Sequence, residues 1–253
     1  MEWIRADVSA VADWAPVLEG VDVVLNLAWY RWESAERFRR LQEGLRRLVA
    51  AAAQHGVRRF VQVSVPPAPP SMEATLPYLY YKRQVDSAVS ASGLSFRIVR
   101  PTMLYGPGDV LLGVMLRLMR RYPFFPMFGD GRYHVSPIAV ADLARVLCRE
   151  ASGSGQGTVD LGGPERLEYR VLTDRMFHVL GKTPHYWRLS AAGARRLTGL
   201  MVAFGSTILY PYEVEWLMSD MLGLPAYDGL GSPLITVDAY LDALVRSGKG
   251  PRT

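Results

Sequence analysis

Hydrophobic and polar positions along this chain switch repeatedly between two periods. Short, nearly continuous apolar runs alternate with longer stretches in which apolar residues recur every three or four positions. That is the pattern of buried parallel strands alternating with amphipathic helices. WIRADV (Trp3 to Val8) predicts a first short strand. A helix is expected from Ser9, a plausible N-cap, to Leu18, with Gly20 ending it. VDVVLNLAW reads as a central parallel strand. From about Glu33 to His55, Phe38, Leu41, Leu45, Leu48, Val49 and Ala52 form an apolar stripe, and Gly56 takes the C-terminal glycine position. RRFVQVSV is the next strand. Pro66, Pro67, Pro69 and Pro70 are expected to fix a loop that is neither helix nor strand. A helix carrying Tyr78 and Lys82 then runs to about Ser92, and LSFRIVRP follows as a strand.

After Gly108 the rhythm changes. VLLGVMLRLMRRY predicts an amphipathic helix, and PFFPMFGDGRYHVSPI a loop with turn chemistry at Gly129-Asp130-Gly131. VADLARVLCREAS returns as a helix, and GTVDLGG as a short strand. From Pro164 onward the chain predicts helices with loops: LEYRVLTDRMFHVLG, AAGARRLTGLMVAF, EVEWLMSDMLG and TVDAYLDALVRSG. The fold class is therefore α/β, a parallel sheet with helices on both faces and a small, mostly helical C-terminal lobe. The expected organisation is a core over 1–104, an insertion into the lobe over 105–133, a return to the core over 134–162 and the lobe itself over 163–253.

Composition narrows the class. In 253 residues, 49% hydrophobic and 21% charged is the balance of a soluble globular protein with ample core. The single cysteine, Cys148, excludes an internal disulfide; its apolar helical surroundings suggest a buried, inert thiol in a cytoplasmic protein. The four histidines are scattered without metal-ligand spacing, so no metal site is expected. MEWIRADVSA reads as neither a signal nor a transit peptide. The longest uncharged stretch, Leu197 to Tyr212, is shorter than the ~20 residues of a spanning helix. Two readings of it stay open: a core or lobe–lobe helix, or a segment that meets a membrane surface or a partner protein. The net charge is +5, and six arginines fall between Arg39 and Arg59. Four of them lie on the solvent side of the striped helix, and Arg58 and Arg59 are expected in the turn after it. No aromatic platform interleaves with them, so a solvated helix face is expected rather than a nucleic-acid site.

The chemistry concentrates between Tyr78 and Asp109. Residues four apart share a helix face, so Tyr78 and Lys82 can address one ligand. A nearby ammonium favours the phenolate, which is what a group moving a hydroxyl proton near neutral pH requires.

Several segments, in order, resemble the extended and atypical short-chain dehydrogenase/reductase superfamily of the NAD-dependent epimerase/dehydratase type. They are GVDVVLNLA, GVRRFVQVS, the YxxxK of PYLYYK, RPTMLYGPGD, SPIAVADLARVL and LGGPERLEYRVLTDRMFHVLGK. PYLYYK, the Pro123 to Gly131 loop and the late GGPE bring the likeness nearest to the atypical group around the related accessory subunit of respiratory complex I. The resemblance implies a Rossmann-like core and NAD or NADP as cofactor. It makes Tyr78 the general acid/base and Lys82 the holder of the nicotinamide ribose. It sets Pro101, Thr102 and Met103 toward the carboxamide and Asp7 toward adenine, with Leu27, Ala28 and Ser64 along the cofactor. Arg100 is either a cofactor contact or a structural bridge under the turn.

Two departures stand beside it. The family's opening GxxGxxG, whose glycines let the backbone approach the pyrophosphate, is absent, so the fold is expected to be N-terminally truncated at what is usually its third strand. An incomplete reading frame, a shift of WIRADV to pair beside VDVVLNLA, or a partner chain completing the sheet would each account for this. Where the family carries a catalytic Ser or Thr, the chain has Val65; Ser64 is one residue early and expected to point the other way. Two functions remain: an oxidoreductase or epimerase acting on a small or nucleotide-linked substrate, or a non-catalytic scaffold, assembly or regulatory protein on the same fold. The second would place the protein at a membrane through a partner.

Overall fold

The computed structural model describes residues 4–31, 33–109, 111–205 and 209–246. In chain order they form α1 (Ala15–Leu18), β1 (Val23–Asn26), α2 (Ala35–Gln54), β2 (Arg59–Val63), α3 (Pro70–Thr75), α4 (Pro77–Ser90), β3 (Ser95–Pro101), β4 (Leu104–Tyr105), α5 (Leu112–Arg121) and β5 (Phe125–Phe128). Then come β6 (His134–Val135), β7 (Ile138–Ala139), α6 (Val140–Ser152), β8 (Gly157–Leu161), β9 (Leu167–Glu168), α7 (Tyr169–Val179), β10 (Tyr186–Leu189), α8 (Ala191–Ala203), α9 (Pro211–Met218) and α10 (Val237–Arg246). The chain divides into two compact units: Met1–Val65, Pro69–Arg100 and Val146–Val159 in the first, Pro66–Ala68, Pro101–Arg145 and Asp160–Thr253 in the second.

The first unit is built on a sheet of order β1-β2-β3-β8. β1, β2 and β3 run parallel, with Leu25 opposite Val61 and Val61 opposite Arg97. β2 is buried from Arg59 to Gln62, as a strand covered on both faces must be. The apolar stripe of α2 is its buried face: Leu41, Leu45, Leu48, Val49 and Ala52 pack with Val85 and Val89 of α4, Phe60 and Ile98. Ser34 caps α2, its Oγ accepting from the Arg37 N–H at 3.3 Å. On the outer face Arg39 and Arg40 meet Glu36, and Arg39 also meets Glu43, a solvated lattice as expected.

Five expectations fail here. Residues 4–8 form no strand; Trp3 lies outside the described residues. Asp7 turns the chain instead, its carboxylate accepting the Ser9 N–H at 2.9 Å and hydroxyl at 2.8 Å. The helix expected from Ser9 shrinks to α1, and β1 has a partner on one side only among the described residues, which removes the account in which WIRADV pairs beside it. Pro70 is not part of the loop but opens α3, because a first helical residue has no use for its N–H. Arg59 is not in a turn. It is fully buried at the start of β2, its guanidinium donating to Ser95 Oγ and the Gly155 carbonyl, each at 2.7 Å, to the Glu150 carbonyl, and meeting the Glu150 carboxylate at 3.5 Å. Burial pulls its pKa down, and the Glu150 carboxylate opposes this. Cys148 is exposed rather than buried. The inward stripe of α6 is Leu143, Val146, Leu147 and Glu150, and position 148 falls off it.

The second unit has its own core, with Leu116 and Met119 of α5, Met127 of β5, Leu172 and Phe177 of α7, Val214 of α9 and Leu241 of α10. The stretch expected as a loop after Tyr122 contains β5, because an unforeseen strand, β10, pairs with it in parallel. Gly163 sits where a Cβ would come within 1.6 Å of the Pro137 carbonyl oxygen, so only glycine permits that approach. α8, which runs into the uncharged stretch, buries Ala194 and Thr198 while Leu200 and, just after the helix, Phe204 stay exposed; Ser206 to Ile208 lie outside the described residues. Among the described residues no helix is long and apolar enough to cross a membrane.

Candidate active site

β1 ends at Asn26, whose side chain works in two directions. Its Nδ2 donates to Gln62 Oε1 across the sheet at 2.7 Å, and its Oδ1 accepts the Ala28 N–H at 3.0 Å. The second bond curls the chain out of the strand and directs Trp29 onto α4. The Tyr78 ring meets Trp29 edge-on at 6.0 Å and Phe38 at 5.8 Å. One turn further along α4, Lys82 is 3% exposed, and its Nζ lies 4.5 Å from the centroid of the same Trp29 ring. Tyr78 and Lys82 thus share one face and one aromatic neighbour, at the carboxyl end of a parallel strand.

A carboxylate stands one turn beyond. Asp86 Oδ2 accepts the Ser64 hydroxyl at 2.5 Å and Arg83 Nη1 at 3.1 Å, while among the described residues its buried Oδ1 has no partner. Arg83 also reaches the Val65 carbonyl at 3.0 Å and Glu73 at 2.9 Å. Burial lowers the Lys82 pKa from 10.5 to about 8, with Asp86 working against it and Arg83 with it. Burial raises that of Asp86, countered by the Ser64 hydroxyl and the two cations. Lys82 therefore sits near the point where it can hold or release a proton at mild pH.

The remaining sequence-predicted residues are dispersed. Ser64 follows β2, buried, its hydroxyl engaged by Asp86 and its N–H on the Val99 carbonyl at 2.8 Å. Leu27 is 61% exposed and Ala28 half-buried beside Asn26. Asp7 is exposed in its own turn, where hydrogen bonds from Ser9 hold its carboxyl below the usual range. Pro101 closes β3; Thr102 and Met103 belong to the second unit, where the Thr102 hydroxyl donates to the Ser136 carbonyl and Met103 joins the core. A cavity of about 440 Å³ opens elsewhere on α4, lined by Arg83, Asp86, Ser87, Ser90, Arg100 and Thr158; neither Tyr78 nor Lys82 lines it. Sequence reasoning missed Trp29 and Asp86. Asp86 was legible, four residues after Lys82 and so on its face. Trp29 was not, because only the Asn26 curl carries it to α4.

Parallel strands joined by a crossover helix that bears Tyr78 and Lys82 define a nucleotide-binding α/β protein of the atypical short-chain dehydrogenase/reductase and epimerase type. The family model described as NAD(P)H-binding matches residues 1–149, and the chain belongs to that family. It is 28% identical over 179 residues to the Arabidopsis thaliana mitochondrial NADH dehydrogenase (ubiquinone) 1 alpha subcomplex subunit 9, an alignment covering 68% of this chain and 44% of the relative. It is 31% identical over 193 residues to a ceramide reductase of Caulobacter vibrioides, covering 74% of this chain and 59% of the relative. The chain thus spans about half the length of the curated relatives it matches. Among solved structures, a nucleoside-diphosphate-sugar epimerase from Staphylococcus aureus superposes with a TM-score of 0.74 at 16% identity, covering 93% of this chain and 81% of that one. An NADPH-dependent quinone oxidoreductase from Escherichia coli, complexed with NADPH, gives 0.71 at 17% identity, covering 95% and 82%. At these identities the structures show the fold alone.

Proposed function

We propose that this chain binds NAD or NADP at Tyr78 and Lys82 and acts on a hydroxyl or keto group of a small or nucleotide-linked substrate, as an oxidoreductase or epimerase. One observation carries the reading. The Trp29 indole N–H is buried and has no hydrogen-bond acceptor among the described residues, and the buried Lys82 ammonium lies 4.5 Å from the centroid of the same ring. A buried donor without an acceptor is costly, so this N–H beside a buried cation calls for an oxygen-bearing ligand. The hydroxyls of a nicotinamide ribose supply such oxygens. The fit holds for that half of the cofactor only. The sequence shown contains no GxxGxxG turn of the kind that cradles a pyrophosphate.

In this reading Lys82 holds the ribose and biases the Tyr78 phenol toward release of its proton. Tyr78 gives that proton to, or takes it from, the substrate oxygen. The bound dinucleotide supplies or accepts the hydride. Asp7, Leu27, Ala28 and Ser64 carry the other family contacts that fall in the first unit. The test is calorimetry with NADH and NADPH on the wild type and on Lys82→Met. Binding that the variant loses supports the proposal, and no heat up to millimolar nucleotide refutes it. If the site turns substrate over, Tyr78→Phe lowers the rate about 10²–10⁴-fold, the contribution of a positioned acid or base.

A second reading, a non-catalytic assembly or regulatory role beside a partner protein, has its own observation. The Ser64 hydroxyl is held by Asp86 and position 65 is valine, so Tyr78 gains no hydroxyl helper from that strand. The Arabidopsis relative, named as a subunit of a larger complex, fits this role. Here Tyr78→Phe leaves cellular function intact, whereas changes in the second unit abolish it.

A further inference from the structure

The second unit carries a surface that nucleotide chemistry does not use. Tyr122, Phe124 and Trp187 are 46%, 46% and 50% exposed, yet they cluster. Phe124 meets Trp187 edge-on at 6.0 Å, and Tyr122 lies 6.5 Å from Phe124. Local structure produces the cluster. Phe125 and Met127 turn into the core and leave Phe124 outside, while the parallel pairing of β5 with β10 sets Trp187 opposite Pro126.

The segments that carry these rings are also rich in cations. Arg121 lies over the Tyr122 ring at 5.5 Å. Lys182 closes the end of α5 by donating to the Met119 and Arg120 carbonyls, each at 2.7 Å. The sequence has no acidic residue between Asp109 and Asp130, and none between Asp174 and Glu213. These are the two segments that β5 and β10 join. Within them Arg117, Arg120, Arg121, Arg188 and Arg196 are exposed and form no ion pair among the described residues.

Exposed aromatic rings, two of them with polar tips, on segments whose exposed arginines have no acidic neighbour in sequence are the composition of a membrane-interface surface. Base stacking would need open, roughly parallel ring faces, whereas Phe124 and Trp187 cross at 86°. We propose that this surface docks on an anionic phospholipid bilayer, with the rings at headgroup depth and Arg120 and Arg121 on lipid phosphates.

Vesicle flotation of the full chain tests this, using phosphatidylcholine alone and an equal mixture with phosphatidylglycerol. The chain floats with the anionic vesicles only, and less as salt rises. Arg120→Ser with Arg121→Ser lowers the partition about thirtyfold, since each basic residue near such a surface contributes roughly a fivefold gain. Phe124→Ser with Trp187→Ser lowers it independently, and circular dichroism and melting confirm that these surface variants fold. Three results overturn the proposal: no flotation with anionic vesicles, flotation that survives both double variants, or capture by RNA or an acidic protein without vesicle binding.

Discussion

Replacing Lys82 by methionine stabilises this protein at neutral pH. The ammonium is almost wholly removed from water, and its strongest compensation is the Coulomb attraction of Asp86 and the face of Trp29. Burial takes its pKa from 10.5 to about 8. Between those values the unfolded chain binds the proton and the folded chain does not, so stability rises with pH across that interval. Below about pH 8 the full cost is present. At about 1.4 kcal/mol per tenfold it amounts to roughly 3 kcal/mol. Methionine fills the same space without charge but forfeits the cation–ring contact, worth about 1 kcal/mol. The net expectation is about 2 kcal/mol of added stability near pH 7, shrinking to nothing or reversing near pH 10. Urea unfolding at both pH values, with unchanged m-values, measures it. A variant that is less stable near neutrality, or a difference that does not move with pH, would show that the ammonium is not desolvated and refute the reasoning. A variant that is more stable yet loses nucleotide binding would separate the service of Lys82 to a ligand from its service to the fold.

Other outcomes follow from the same contacts. Glu150→Ala leaves the Arg59 guanidinium without its buried counter-charge and lowers stability by about 3–5 kcal/mol in urea unfolding. Gly163→Ala drives a methyl against the Pro137 carbonyl and costs about 3 kcal/mol or more, visible as a lower melting midpoint and faster proteolysis of the second unit. Cys148 reacts with a water-soluble thiol reagent in the folded protein, one equivalent without denaturant, whereas a buried thiol would react only on unfolding.

The readable parts of the molecule were those set by nearby residues. The α2 stripe follows from one period, and its core face is the one the spacing indicates. Tyr78 and Lys82 share a helix face because they are four apart. Features that depend on distant partners were opaque. Arg58-Arg59 looks like a solvated pair until Glu150, 91 residues on, receives the second of them. β5 looks like a loop until β10 supplies its hydrogen bonds some sixty positions later. The first strand failed for the opposite reason: a local turn at Asp7 outweighed a weak strand propensity. Cys148 could have been read correctly, since Leu143, Val146 and Leu147 already define a stripe that excludes it.

Because the Trp29 ring lies against the Lys82 ammonium, an oxygen that accepts a hydrogen bond from that nitrogen changes the electrostatic surroundings of the indole. The molecule accordingly carries its own optical gauge: intrinsic fluorescence should shift as the site fills, and Trp29→Phe should silence that shift without abolishing the binding it reports.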